Sequence, residues 1–171
     1  KRKTGHPARD LSIDAVIAYA DRYDDSALSS AIRHGAKHYL DALKLLRILH
    51  FALWASNVYH NTLGRFDQYM YPFYKNDIES GILSKEDALM YTEELFLSFN
   101  RDSDLYTGMQ QGDNGQSLML GGITREGKDA VNALTYICLK ASLNNRRIDP
   151  KINLRVNKET PLDLYLAATQ L

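Results

Sequence analysis

From Leu11 onward, apolar residues recur at Ile13, Val16, Ile17, Ala20 and Tyr23, the spacing of one face of an α-helix, with Asp10 or Ser12 placed to cap its start. Between Tyr39 and Ala55 nearly every position is apolar except Asp41, Lys44, Arg47 and His50. These four recur every third residue and form one narrow polar strip, so the helix is predicted to be buried on most sides. Ser84-Lys85-Glu86-Asp87 has the form of a capping box, in which the serine oxygen and the carboxylate three residues on each satisfy an orphan backbone donor. The helix beyond it is predicted to bury Ala88, Leu95, Phe96 and Phe99.

Thr124 reads as the opening of another helix, whose Ala130, Leu134, Ile137, Cys138 and Ala141 share a face, and Asn144-Asn145 with Arg146-Arg147 suits its end. Thr160-Pro161 starts the last helix, with proline at the first helical position, where its missing N–H costs nothing. Strand candidates are short: Ser117 to Leu120, and Ile152 to Val156 with Ile152, Leu154 and Val156 alternating onto one side. Each adjoins a helical pattern, so an α/β layout fits better than a pure bundle. No repeat or low-complexity tract interrupts the chain.

Composition narrows the function classes. A chain of 171 residues suffices for one domain with a real core, and no linker divides it. Lysine plus arginine equals aspartate plus glutamate at 21 each, so net charge recommends neither nucleic acid nor an anionic membrane as partner. The most apolar stretch, Ile48 to Ala55, is interrupted by His50 and falls far short of the roughly 20 apolar residues that span a bilayer. With no secretory signal pattern and a lone cysteine, a reducing cytoplasmic setting is the expectation. The chain does not begin with methionine and its last residues, PLDLYLAATQL, are still helical in pattern, so it is expected to be a piece of something larger.

The stretch GDNGQSLMLGG places Gly112, Gly115, Gly121 and Gly122 around a strand, where close approach or positive φ is needed. It lacks the lysine and hydroxyl of a phosphate loop and the spacing of a dinucleotide turn, so spacing alone favours a tight turn entering a buried strand. Arg65 and Asp67 stand two apart and cannot face each other on a helix, so each needs a partner elsewhere; structural ion pairs are the expectation. His34 and His38 have helical i, i+4 spacing, but no glutamate lies between them and no third ligand follows at a recognisable offset. They are read as solvated helix histidines, and no metal site is predicted. Cys138, on an apolar helix face without a neighbouring base, is read as an inert core thiol.

Taken in order, SNVYHNTLGRFDQYMYPFYKNDIESG, QQGDNGQSLMLGG, GKDAVNALTYICLKAS, DPKINLRV and TPLDLYLAAT resemble the glycyl radical enzymes of the pyruvate formate-lyase-like superfamily. The resemblance runs from about Tyr39 to the end and is loose over residues 1–38, and the whole is read as one partial domain. It implies a ten-stranded α/β barrel, of which this chain is a helix-rich portion. It also implies a small-molecule substrate, a homodimeric full-length enzyme, and a C-terminal glycine carrying a radical installed by a separate iron–sulfur activase that uses S-adenosylmethionine. The radical passes to a cysteine on a finger loop. Both residues would lie downstream of Leu171, since Cys138 matches neither motif, so no catalytic residue and no directly bound cofactor is expected in this segment.

What the resemblance leaves to the segment is barrel wall. Gly64, Arg65, Asp67, Gly121, Gly122, Asn132 and Arg155 stand in its structural motifs. Aligned on Gly64-Arg65, Tyr59-His60 replaces the two small alanines of pyruvate formate-lyase itself, and so crowds the position that pyruvate needs. That departure favours a dehydratase, decarboxylase or C–N/C–S lyase over a formate acetyltransferase. Tyr59, His60, Met109, Gln111, Asn114 and Gln116 are the substrate-wall candidates. The rival from another class is a non-catalytic helical interaction domain that keeps the family's sequence.

Overall fold

A computed structural model describes residues 14, 15, 18, 22, 26–55, 61–101 and 115–171. The helix predicted from Leu11 lies almost wholly outside them. In chain order the elements are α1 (Ser26–His34), α2 (Tyr39–Ala55), β1 (Thr62–Arg65), α3 (Phe66–Tyr69), α4 (Tyr71–Glu79), α5 (Lys85–Asn100), β2 (Ser117–Gly121), α6 (Ala133–Asn145), β3 (Lys151–Arg155) and α7 (Leu162–Ala168). The three strands form one parallel sheet in the order β1-β2-β3. Parallel neighbours need crossovers, and here α3 to α5 carry the chain from β1 to β2 while α6 carries it from β2 to β3.

The starts of α5 and α6 are set by their local sequence. Ser84 is extended (φ −86°, ψ 163°) and its Oγ accepts the Asp87 amide at 3.0 Å, so α5 starts where the capping pattern puts it. The Asp87 carboxylate accepts the Ser84 hydroxyl at 2.7 Å. Ala88, Leu95, Phe96 and Phe99 recur at helical spacing and are buried, joined by Thr92, whose hydroxyl donates to the Ala88 carbonyl and accepts from the Tyr39 phenol. Helix α2 spans the predicted Tyr39 to Ala55, but its polar strip does not all face water. His50 is buried, while Leu49, Phe51 and Leu53 are exposed. A strip of period three drifts around a helix of 3.6 residues per turn, and its C-terminal member has rotated into the core.

The helix predicted from Thr124 instead begins at Ala133. Between them the chain folds back on itself: Thr124 donates to the Lys128 carbonyl at 2.8 Å, Ile123 bridges Asp129, and Gly127 takes φ +79°. The true start is Asn132, whose Oδ1 accepts the Leu134 and Thr135 amides while Thr135 Oγ1 accepts the Asn132 amide. Ala130 is buried from the loop, and Leu134, Cys138 and Ala141 form the inner face. The far end follows the Asn-Asn-Arg-Arg signal, with Arg146 left-handed at φ 48°. At α7, Pro161 (φ −59°, ψ 140°) is the capping residue rather than the first helical one, so the helix starts at Leu162, one residue later than predicted.

The sheet divides the molecule's chemistry. Leu118 and Leu120 are fully buried, and Ile152 and Leu154 pack against the same core as Phe66, Phe96, Leu134 and Leu139. On the other face, Ser117 and Met119 of β2 are half-buried and Lys151, Asn153 and Arg155 of β3 are exposed. Parallel sheets usually carry helices on both faces. Among the described residues this one has its helical core on one side and a polar surface on the other.

Candidate functional site

Two features converge on this sheet. The first is a clamp around Gly121. Arg65, at the end of β1, donates Nη2 to the Gly121 carbonyl at 2.8 Å, and Asp67, at the start of α3, accepts the Gly121 amide on Oδ2 at 2.8 Å. The same Oδ2 accepts the Thr135 hydroxyl at 2.6 Å, and Asn132 Nδ2 donates to the Asp67 carbonyl at 3.0 Å. The sequence spacing correctly sends Arg65 and Asp67 to separate partners, but both partners are peptide groups of one glycine rather than opposite charges.

Glycine is required at that point. Gly121 has φ +66°, and a Cβ there would stand 2.8 Å from the Arg155 carbonyl oxygen. Gly122, at φ +88°, donates its amide to that oxygen at 2.8 Å, and an added Cβ would touch both Arg65 and Arg155 at 3.4 Å. Gly64, also at positive φ, sits where the β1–β2 register slips by one residue, ahead of Arg65. The seven motif residues thus fall at the same ends of the three strands and at the α6 cap they meet.

Burial is the largest influence on the Asp67 carboxyl and raises its pKa; the hydrogen bonds from Thr135 and Gly121 and the Arg65 charge pull the other way. Asp67 Oδ1 and Arg65 Nε are buried with no hydrogen-bond partner among the described residues.

The second feature is the open face itself. Register places Ser117 beside Thr62 and Lys151, Met119 beside Arg65 and Asn153, and Gly121 beside Arg155. Arg155 Nη1 reaches back over the sheet to within 3.9 Å of Met119 Sδ. Lys151, Asn153, Ser117 and Met119 were not among the sequence candidates. The signal was present, since the alternation that turned Ile152 and Leu154 inward must turn Lys151, Asn153 and Arg155 outward.

Of the substrate-wall candidates, Tyr59, His60, Met109, Gln111 and Asn114 lie outside the described residues. Gln116 lies within them, fully buried one residue before β2, with its Oε1 on His50 Nε2 at 2.6 Å. His38 is exposed, as the solvated reading has it, but its Nδ1 also stands 2.9 Å from the buried Asp77 Oδ1, and that hydrogen bond raises its pKa. His34, at the end of α1, is exposed. Cys138 is fully buried, and burial pushes its thiol well above the usual range. Among the described residues no group of three or more His, Cys, Asp or Glu is arranged to hold a metal, and no helix is long and apolar enough to cross a membrane.

A parallel sheet backed by helices on one side, with polar residues and glycine-tight strand ends on the other, is a section of an α/β barrel wall. The chain belongs to the pyruvate formate lyase-like family, whose family model matches residues 25–171. It is 32% identical over 121 residues to the (2S)-3-sulfopropanediol dehydratase of Klebsiella oxytoca, covering 67% of this chain and 15% of that protein. It is 28% identical to the isethionate sulfite-lyase of Bilophila wadsworthia (strain 3_1_6), covering 88% of this chain and 22% of the relative. A glycyl radical enzyme from Archaeoglobus fulgidus superposes with a TM-score of 0.76 at 23% identity, over 92% of this chain and 23% of that one. The fold is therefore the helix-rich portion of a glycyl radical enzyme barrel, and the chain spans about a fifth of these proteins' own lengths.

Proposed function

We propose that the chain forms barrel wall in a glycyl radical enzyme that performs radical elimination or cleavage on a small polar metabolite, as a dehydratase, decarboxylase or C–N/C–S lyase. The observation that carries this reading is the polar face of the sheet, with Thr62, Ser117, Met119, Lys151, Asn153 and Arg155 turned away from the helical core. A radical intermediate needs a closed cavity in which a few polar groups orient hydroxyl or carboxylate functions. The clamp on Gly121 fixes one end of that wall. Tyr59, His60, Met109, Gln111 and Asn114 are further substrate contacts in this reading.

Hydrogen abstraction belongs to residues elsewhere in the full-length protein. Cys138, the chain's one cysteine, is sealed in the core with its thiol held protonated, and Gly121 is gripped on both sides of its backbone. A glycine radical would be installed by an S-adenosylmethionine iron–sulfur activase, and the enzyme would act as a cytoplasmic homodimer. The bulk of Tyr59-His60 disfavours the formate acetyltransferase alternative.

The test is anaerobic activation of the full-length enzyme, paramagnetic-resonance detection of its radical, and assay with 3-sulfopropanediol, isethionate and pyruvate. Turnover of a diol or sulfonate without formate from pyruvate is expected. A natural gene that encodes neither the thiyl cysteine loop nor the radical glycine would instead leave the helical interaction domain as the reading.

A further inference from the structure

Beneath the sheet, at the end of β2 opposite the Gly121 clamp, lies a polar chain, buried at His50, Gln116 and Asp149 and half-buried at Arg47, that the clamp does not use. Arg47 and His50 stand one helical turn apart on α2, with Arg47 Nη1 3.3 Å from His50 Nδ1. A guanidinium only donates, so Nδ1 accepts and the ring proton sits on Nε2. That proton points at Gln116 Oε1, 2.6 Å away, so the neutral tautomer of His50 also fixes which way round the Gln116 amide stands. The ring is locked from the side by Phe99, edge-on at 4.8 Å between centroids. Arg47 is held in turn by Ser98, through its Oγ at 2.8 Å and its carbonyl at 3.0 Å, with its guanidinium over Phe99.

Gln116 is tied at its backbone as well as its side chain. Its amide donates to Asp149 Oδ1 at 3.1 Å and its carbonyl accepts from the Lys151 amide at 2.7 Å. Asn100, at the end of α5, donates to the Asp149 carbonyl at 2.8 Å. The next residue is Ser117, which stands on the open polar face in register with Lys151. A single peptide unit therefore separates a buried, tautomer-fixed network from the surface assigned to substrate.

We propose that His50 is a positioning residue: through Gln116 it sets the entry of β2 and so the placement of Ser117 and its neighbours against substrate. This rests on the reading of the open face as substrate wall. His50 touches no substrate itself; a fully buried side chain two residues removed from that face acts through what it holds.

The test uses the full-length enzyme and two variants. His50→Phe keeps an aromatic ring beside Phe99 and removes both polar atoms. His50→Gln keeps a donor for Gln116 and an acceptor for Arg47. With 3-sulfopropanediol and isethionate as substrates, His50→Phe is expected to raise KM by about tenfold with kcat little changed, the weight of one buried hydrogen bond. His50→Gln is expected to restore most of it, with similar melting temperatures for both variants.

Hydrogen exchange of the peptide covering Gln116 to Met119 is the second readout. Exchange is expected to accelerate in His50→Phe and to return toward the parent rate in His50→Gln. A His50→Phe enzyme with unchanged KM overturns the proposal, as does parallel loss of stability and turnover in both variants. If the parent enzyme carries its radical yet turns over neither compound, its substrate is another member of the class, and the exchange data alone decide the positioning role. Equal exchange in all three proteins would then overturn it.

Discussion

Asp67 is the residue on which the wall's strand ends depend. Its Oδ2 alone receives two donors, the Gly121 amide and the Thr135 hydroxyl, while Oδ1 is buried without a partner among the described residues. That asymmetry predicts two different outcomes from two substitutions. Asp67→Ala leaves an amide and a hydroxyl buried without an acceptor and should cost about 2 to 4 kcal/mol of stability. Asp67→Asn can present its carbonyl oxygen to both donors and its amide nitrogen where the orphan oxygen stood, and it removes a carboxyl whose ionisation burial opposes. It should stay within about 1 kcal/mol of the parent by chemical denaturation. An alanine variant as stable as the asparagine one would show that strand pairing and the Arg65 bond hold Gly121 without Asp67. Burial, outweighing the hydrogen bonds from Thr135 and Gly121, gives the residue its pH behaviour. The folded-state pKa lies above the ordinary 3.8, so the stabilising contribution is complete below that value and shrinks as pH rises through the raised one.

Among the elements, α2 is held at its start by a carboxylate from α4. Asp77 Oδ2 accepts the Tyr39 amide at 2.7 Å, while its Oδ1 engages His38. The hydrogen bond to Asp77 raises the His38 pKa above 6.5, so the proton-linked stability is complete below pH 6.5 and is lost as pH rises through the raised value. Melting temperature should fall across that window, and His38→Ala should flatten the profile. The slope will be shallow, because His38 is 46% exposed and water screens the pair. A His38→Ala protein with the parent's slope would remove His38 from the account.

The sequence could not show this pairing, because His38 and Asp77 are 39 residues apart. What it did show was local. The span of α2, the serine cap of α5 and the Asn-Asn-Arg-Arg end of α6 are each written in adjacent residues. Thr124 misled because a hydroxyl before a polar run serves a turn as well as a helix, and Asn132, eight residues on, has the better reciprocal partner in Thr135. Strand β1 escaped because four residues containing a positive-φ glycine carry no alternation to read.

At the scale of the molecule, the sheet ends in two open edges, β1 and β3, among the described residues. Unpaired strand edges beside an uncovered face recruit other chains. Helix α7 adds to this: it docks through Leu164, fully buried, yet turns Leu162 and Leu166 outward at 75% and 61% exposure, one turn apart on its outer side. Tyr165 and Val156 are exposed nearby in sequence. In a closed barrel such surfaces meet other strands and helices; in the 171-residue chain produced by itself they meet solvent. That chain is therefore expected to self-associate, with a light-scattering mass above the 19.4 kDa monomer that grows with concentration. Leu162→Glu combined with Leu166→Glu should lower the associated fraction while leaving the helical circular dichroism signal in place, since neither side chain is in the core. Residual association in that double variant would point to the strand edges as its second source. A strictly monomeric parent chain that unfolds in one cooperative transition would mean that the face and edges are satisfied within these residues, and the barrel-wall reading would lose its physical basis.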